Sequence, residues 1–156
     1  MNDIVREDIN ENERLEDFVD TENVPYAEMQ RLLTSFCSEV LLSEHILEEN
    51  KTVIIMCKFL INQAIEFGNK EISLNEFVKS RLLAWMLHDS VQQNSTERHL
   101  FRLIVCLLYE EGNEPYSPDG YLEVFYSCLF DLDKGCCKKF TDYVIENINP
   151  SLKKQS

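Results

Sequence analysis

The chain has 156 residues, of which 44% are hydrophobic, and its 28 acidic and 15 basic residues give a net charge of −13. This length allows one domain with an apolar core. A surface this negative repels phosphate backbones, which disfavours direct nucleic-acid binding. The sequence has no run of about 18 apolar residues and so predicts no membrane span.

Residues 1–24 are predicted to form a disordered acidic leader. Nine acidic residues and two arginines lie in residues 1–25, a net charge of −7. Such a composition buries too little apolar surface to fold by itself. Two interpretations stay open for Leu15, Phe18 and Val19, which have helical spacing. They belong either to a solubilising tail or to a short linear motif that folds on a partner.

A helical domain is predicted over residues 25–149, followed by a tail at 150–156. Asn50, Ser73 and the run Asn94-Ser95-Thr96 are predicted N-caps, because each precedes an apolar-periodic segment and can accept a backbone hydrogen bond. Gly68 and Gly135 mark helix boundaries, and Pro150 ends the fold. The six predicted helices cover residues 26–42, 51–67, 74–93, 96–111, 121–132 and 136–148.

The fold class follows from how apolar these helices are. Residues 53–61, 100–108 and 121–132 are apolar most of the way round, which is typical of helices sandwiched between neighbours. Successive helices start about 20–25 residues apart, the spacing of HEAT-type hairpins. The sequence therefore predicts an all-α fold of about three stacked antiparallel hairpins.

No constellation of residues indicates catalysis, a metal or a cofactor. The three histidines, His45, His88 and His99, are scattered, and no Cys-x-x-Cys motif occurs. His88 and Asp89 are adjacent and point about 100° apart on a helix, so we expect no pairing of a base with an orienting carboxylate. The chain is therefore predicted not to be an enzyme.

The cysteines indicate the cellular compartment in which the protein is expected to occur. The first residues predict no secretory leader, and four of the six cysteines lie inside apolar helical patterns, where a free thiol behaves as a small hydrophobe. Reduced cysteines are typical of a cytoplasmic or nuclear protein.

Candidate protein-binding residues are acids placed against the helix macrodipole, together with aromatic and apolar anchors. The acids are also compatible with solvated loop charges, and Trp85 with a core position. Beyond Leu15 and Phe18, the candidates are Trp85, Glu110, Glu111, Tyr116, Asp131 and Asp133.

In their order and intervals, residues 55–61, 77–83 and 122–132 resemble a known family. The chain looks like the HEAT-type middle domain of eukaryotic translation initiation factor 4G, the MIF4G domain, and most closely its small stand-alone members. This resemblance implies an adaptor that binds other proteins in messenger-RNA translation or metabolism. The chain has room for fewer hairpins than the typical domain of that family.

An alternative comes from another class of protein. Length, helix number, acidity and reduced cysteines also suit a Bcl-2-like regulator of cell death or innate signalling, such as those of large DNA viruses, which present a groove for an amphipathic helix. A central helix wrapped by others favours this alternative, whereas hairpins in a row favour the adaptor. A homodimer is also plausible, with its contact predicted on the outer face of the first helix, near Ser35, Ser38 and Glu39.

Overall fold

The computed structural model of the chain describes residues 6–43, 50–111 and 118–154. The described part is all-α, and its only extended pairing is an isolated bridge between Val19 and Lys153. Its seven α-helices are α1 (Glu7–Phe18), α2 (Tyr26–Phe36), α3 (Lys51–Gly68), α4 (Leu74–Ser90), α5 (Thr96–Val105), α6 (Pro118–Leu132) and α7 (Cys136–Asn147).

Three helices start at the residues that the sequence indicates. The Asn50 side chain accepts a hydrogen bond from the Val53 backbone N–H, Ser73 from that of Glu76, and Ser95 from that of Arg98. Each side chain satisfies one of the N–H groups that the first turn of a helix leaves open. These three predicted N-caps are confirmed.

Three helices end several residues earlier than predicted, and one of them is α4, which ends at Ser90 and not at residue 93. The first predicted helix is regular only as α2 and continues as a π-helical turn, Cys37–Leu41. The predicted helix at 96–111 is regular to Val105 and then tightens into a 3₁₀ turn, Cys106–Leu108. Such tightening is frequent in the last turn of a helix.

The segment that contains α5 and its 3₁₀ turn lies at the centre of the bundle. It contacts α2, α3, α4 and α6, and its side chains from residue 103 to residue 108 are all buried. Burial on every side agrees with a sequence that is apolar all the way round.

Side chains from other helices satisfy the carbonyl groups that this segment leaves open at its end. Gln30 in α2 donates from its amide to the Leu107 carbonyl at 2.7 Å, and the Tyr26 hydroxyl donates to the Tyr109 carbonyl. Arg81 in α4 donates to the Leu108 carbonyl at 3.4 Å. An open carbonyl buried without a donor would be costly, and these contacts fix α2 and α4 against the central segment.

Contacts between the two ends of the chain close the bundle. Helix α1 packs against α6 and α7, and α2 also contacts α7. In an open row of hairpins, each repeat contacts only its neighbours. The contacts of α1 and α2 with α7 differ, because they join the first helices of the chain to the last one.

The structure corrects the prediction of a disordered leader at residues 1–24, of which residues 1–5 lie outside the described part. Helix α1 buries Leu15, and Val19 is buried directly after it. The acids of α1 have partners inside the fold: Glu7 accepts from the backbone N–H groups of Gly135 and Lys138 at the start of α7. A prediction from composition assumes that such acids are solvated. It therefore underestimates how readily the segment folds.

The predicted tail at 150–156 is also structured as far as the described part reaches. Asp20 donates its backbone N–H to the Leu152 carbonyl at 3.0 Å, and Lys154 donates to the Phe18 carbonyl at 2.9 Å. These bonds tie the end of the chain to the residues that follow α1.

We expect Glu7→Ala to lower the free energy of unfolding by about 1 kcal/mol, because it removes the carboxylate that caps α7. Urea denaturation measures this change. Glu16→Ala, at an exposed position of the same helix, is the matched control and should change stability by less than about 0.5 kcal/mol. Equal effects of the two substitutions would show that the hydrogen bonds of Glu7 to the start of α7 add nothing to stability.

The Glu28 carboxylate joins α2 to the end of the chain. Its Oε1 lies 2.6 Å from Arg31 Nε, and its Oε2 accepts the Asn149 backbone N–H at 2.8 Å. The hydrogen bond from Arg31 holds the pKa of Glu28 below its ordinary value of 4.5. A carboxyl pKa that is lower in the folded state contributes stability above the unfolded value, and this contribution is lost as the pH falls through the folded value.

We therefore expect Glu28→Gln to lower the free energy of unfolding at pH 7 by at most about 1 kcal/mol, since the pair lies near solvent. At pH 3 the variant and the parent should differ less, so the decline below about pH 4.5 becomes shallower. Urea denaturation at a series of pH values measures both slopes, with exposed Glu22→Gln as control. An unchanged slope in Glu28→Gln would contradict this role.

Candidate protein-binding surface

Large apolar side chains are exposed on the outer side of α3 and α4. Met86 is 68% exposed and Ile55 66%, values that are high for large apolar residues. We call this surface the α3–α4 apolar face, and its residues are Ile55, Phe59, Leu82, Leu83 and Met86. Single exposed apolar residues are ordinary, whereas adjacent ones mark interaction sites.

Two contacts between α3 and α4 set their antiparallel register. The rings of Phe67 and Phe77 stack with centroids 4.0 Å apart, and the Ser80 hydroxyl donates to Gln63 Oε1 at 3.2 Å. Continuing this register by one further helical turn places Phe59 level with Ala84. Phe59 therefore lies beside the turn of α4 that carries Leu83 and Met86, and the exposed residues form one surface.

Helix α4 buries one aromatic and two small residues. Its buried residues are Phe77, Ser80 and Ala84, while Leu82 and Met86 point outward. The small side chains of Ser80 and Ala84 allow α4 to approach its neighbours closely. Leu82, Leu83 and Met86 are left on the surface.

The charge around this face differs from that of the whole chain. Residues 51–90 carry five basic and four acidic side chains, a net charge of +1 against −13 for the chain. Lys58 and Lys79 are exposed on the same two helices. The face is thus an apolar, slightly basic region on an acidic protein, which suits an apolar partner surface with acidic flanks.

Sequence reasoning missed this face because it placed every apolar helix in the interior. The pattern did contain a signal. Apolar residues occupy the six consecutive positions 82–87 of α4, which together cover its whole circumference. A helix of this kind at the edge of a bundle must leave some of them in solvent.

Two of the predicted binding residues make contacts within the fold. Trp85 is half-buried, its Nε1–H donates to the Tyr109 hydroxyl at 3.4 Å, and the Arg102 guanidinium lies 5.3 Å from its ring centroid. Glu110 forms an ion pair with Arg81 at 2.6 Å. The contacts of Trp85 agree with the core interpretation.

The remaining candidates occupy varied positions. Glu111, Asp131 and Asp133 are exposed, and Tyr116 lies outside the described residues. Leu15 is buried and lines a small apolar cavity with residues of α2, α6 and α7, whereas Phe18 is half exposed. The segment that contains Leu15 is neither a solubilising tail nor left to fold on a partner. It folds on its own domain, because α6 and α7 supply the apolar surface it needs.

The outer face of α2, where a dimer contact is predicted, is partly covered by α7. Phe36 and Phe140 meet edge to face with centroids 5.1 Å apart, and the Tyr143 hydroxyl donates to Glu39 at 3.2 Å. Ser38 is exposed. The homodimer stays a prediction.

The structure corrects the expectation that His88 and Asp89 do not pair. His88 Nδ1 lies 2.8 Å from Asp89 Oδ1. The two side chains bend toward each other at the exposed end of α4. Asp89 is largely in solvent, and the Trp85 indole packs edge-on against the imidazole at 5.3 Å between centroids.

Within the ranges described, no three His, Cys, Asp or Glu residues are grouped so that they could hold a metal ion. None of the described helices combines the length and apolar content that crossing a membrane requires.

No family model, curated protein or solved structure matches this chain. The resemblance to the MIF4G domain therefore stays an expectation from the sequence.

The difference in burial between Leu15 and Met86 predicts opposite outcomes for truncation. We expect Leu15→Ala to lower the free energy of unfolding by about 2–5 kcal/mol, because it leaves a cavity between α1, α6 and α7. Met86→Ala should change it by less than about 0.5 kcal/mol. Chemical denaturation of both variants measures this, and a large loss in Met86→Ala would mean that this residue supports the core.

Proposed function

We propose that this chain is a non-enzymatic protein-binding module, and that a partner docks on the α3–α4 apolar face. The observation that carries the proposal is the set of five large apolar residues exposed side by side on two helices. Their burial by a partner would release apolar surface from water, the main driving force of association. The low charge of residues 51–90 reduces the desolvation cost of docking there.

An adaptor role in messenger-RNA translation or metabolism, in the cytoplasm or nucleus, is the first form of this proposal. It is supported by the resemblance of residues 55–61, 77–83 and 122–132 to the MIF4G domain. The first two of these segments contain four residues of the apolar face, Ile55, Phe59, Leu82 and Leu83. The net charge of −13 supports a protein partner in preference to a nucleic acid.

A helix-binding regulator of cell death or innate signalling is the second form, and one observation favours it. The central segment of α5 and its 3₁₀ turn is surrounded by α2, α3, α4 and α6, and α7 contacts both α1 and α2. A wrapped central helix is the arrangement that distinguishes this form from a row of HEAT-type hairpins. Such a regulator would bind an amphipathic helix through apolar anchors at i, i+3, i+4 and i+7.

Site-specific photo-crosslinking tests the proposal. A photoreactive phenylalanine at position 59 should yield discrete adducts in cells, whereas the same group at Ile9, an exposed apolar position of α1, should not. Translation or messenger-RNA-binding factors among the adducts support the adaptor, and cell-death or signalling proteins support the regulator. Adducts with neither class, or identical adducts from both positions, contradict both forms.

Purified components then measure the contribution of the face. We expect Phe59→Glu and Met86→Glu each to weaken binding of the identified partner by at least about tenfold, because a charge would be buried against apolar surface. Ile9→Glu should leave the affinity unchanged. Circular dichroism of all three variants should match that of the parent, since each position is exposed.

A further inference from the structure

Two cysteine sulfurs meet between α6 and the 3₁₀ turn after α5. Cys106 Sγ lies 3.9 Å from Cys128 Sγ, and both thiols are free. The two residues belong to different helical segments that are already packed together. A disulfide needs a separation of about 2.05 Å, so the sulfurs would have to approach by about 1.9 Å.

A positive charge lies beside one of these sulfurs. Arg102 Nη1 is 3.5 Å from Cys106 Sγ, one helical turn earlier in α5. The hydrogen bond from Cys128 and the charge of Arg102 lower the pKa of the Cys106 thiol against the opposing effect of burial. The same contact, together with burial, raises the pKa of Cys128.

Cys37, Cys57 and Cys137 have raised pKa values instead. Burial alone raises the pKa of Cys57 to about 12. Burial is also the largest cause of the raised pKa of Cys37. It raises the pKa of Cys137 to about 12. A thiol in an apolar environment is inert, whereas a thiolate stabilised by a cation is the reactive form.

We propose that Cys106 and Cys128 form a peroxide-sensitive dithiol that converts to an intramolecular disulfide, with Arg102 positioning the Cys106 thiolate. The Cys106 thiolate attacks hydrogen peroxide, the O–O bond breaks, and the departing hydroxide takes up the proton that Cys106 released. Cys128 sulfur then attacks the resulting sulfenic acid, and its hydroxyl leaves as water with the proton of Cys128. The two thiols lose two electrons and two protons, and peroxide is reduced to two molecules of water.

A small uncharged oxidant suits this site better than a bulky disulfide reagent. Cys106 is 1% exposed and Cys128 7% exposed, so only a small molecule reaches them without opening of the fold. The new bond would join the turn after α5 to α6, 22 positions apart in sequence. Constraining the unfolded chain in this way should raise the midpoint of thermal unfolding by roughly 5–10 °C.

Mass spectrometry of the oxidised protein tests the proposal directly. No lysine or arginine occurs between residues 103 and 133, so trypsin releases both cysteines in one peptide that ends at Lys134. After treatment with hydrogen peroxide and alkylation without reductant, this peptide should be about 2 Da lighter and carry no alkyl group. Reduction before alkylation should reverse the change. A peptide that is fully alkylated, while other cysteines oxidise, would overturn the proposal.

Variants separate the roles of the two cysteines. Cys128→Ser should stop at the sulfenic acid of Cys106, which dimedone traps, and Cys106→Ser should give no disulfide in this peptide. Cys57→Ser removes one buried thiol elsewhere and should oxidise as the parent does. Absence of a dimedone adduct on Cys106 in Cys128→Ser, while Cys57→Ser oxidises as the parent does, would contradict the role of Cys106 as the attacking thiol and overturn the proposal.

The rate of disulfide formation tests the role of Arg102. Arg102→Gln should slow the reaction by about tenfold at neutral pH, because less of Cys106 is thiolate. Arg102→Lys keeps the charge and should retain most of the rate. Equal rates in the parent and in Arg102→Gln, with native circular dichroism, would contradict the positioning role.

Discussion

Burial of the segment from Leu100 to Leu108 is the constraint on which the rest of the fold depends. Apart from Arg102 its residues are apolar, so it is stable only when other helices cover most of its surface. Its end also leaves carbonyl groups that need donors, and Gln30, Tyr26 and Arg81 supply them. The central segment thereby determines where both α2 and α4 lie.

The helices that surround the central segment need to bury only one face each. Their other faces form the protein surface. Helix α4 contributes Phe77, Ser80 and Ala84 to the interior and leaves Leu82, Leu83 and Met86 exposed. Helix α1 covers α6 and α7 through Leu15, and its acids contact the start of α7 and Arg14. The strongly negative composition is thus divided between acids that hold the fold together and acids that remain in solvent.

Helix positions follow from the sequence because caps and apolar periodicity are local properties. Asn50, Ser73 and Ser95 identify three helix starts, and their hydrogen bonds depend only on residues three positions away. The role of α1 could not be predicted in the same way. Glu7 meets Gly135 only after the chain has folded, and such long-range contacts leave no mark on local composition.

The candidate surface was unpredictable for a related reason. Ile55 is exposed in α3, whereas Leu103, in the apolar segment 100–108, is buried. The sequence identifies both helices as apolar all round. Their depth in the bundle decides which apolar residues meet solvent, and that depth depends on how all the helices pack. Trp85 shows the converse, since a plausible surface anchor is half-buried against Tyr109 and Arg102.

The exposed residues of α3 and α4 are not required by the core that they surround. Phe77, Ser80 and Ala84 already fill the inner side of α4, and Leu60 and Ala64 lie buried on that of α3. Polar side chains at positions 55, 59 and 86 would leave those contacts intact and improve solubility. Folding therefore does not explain why large apolar side chains occupy these positions. Burial against the proposed partner would explain it, because their apolar area would then leave water and contribute stability.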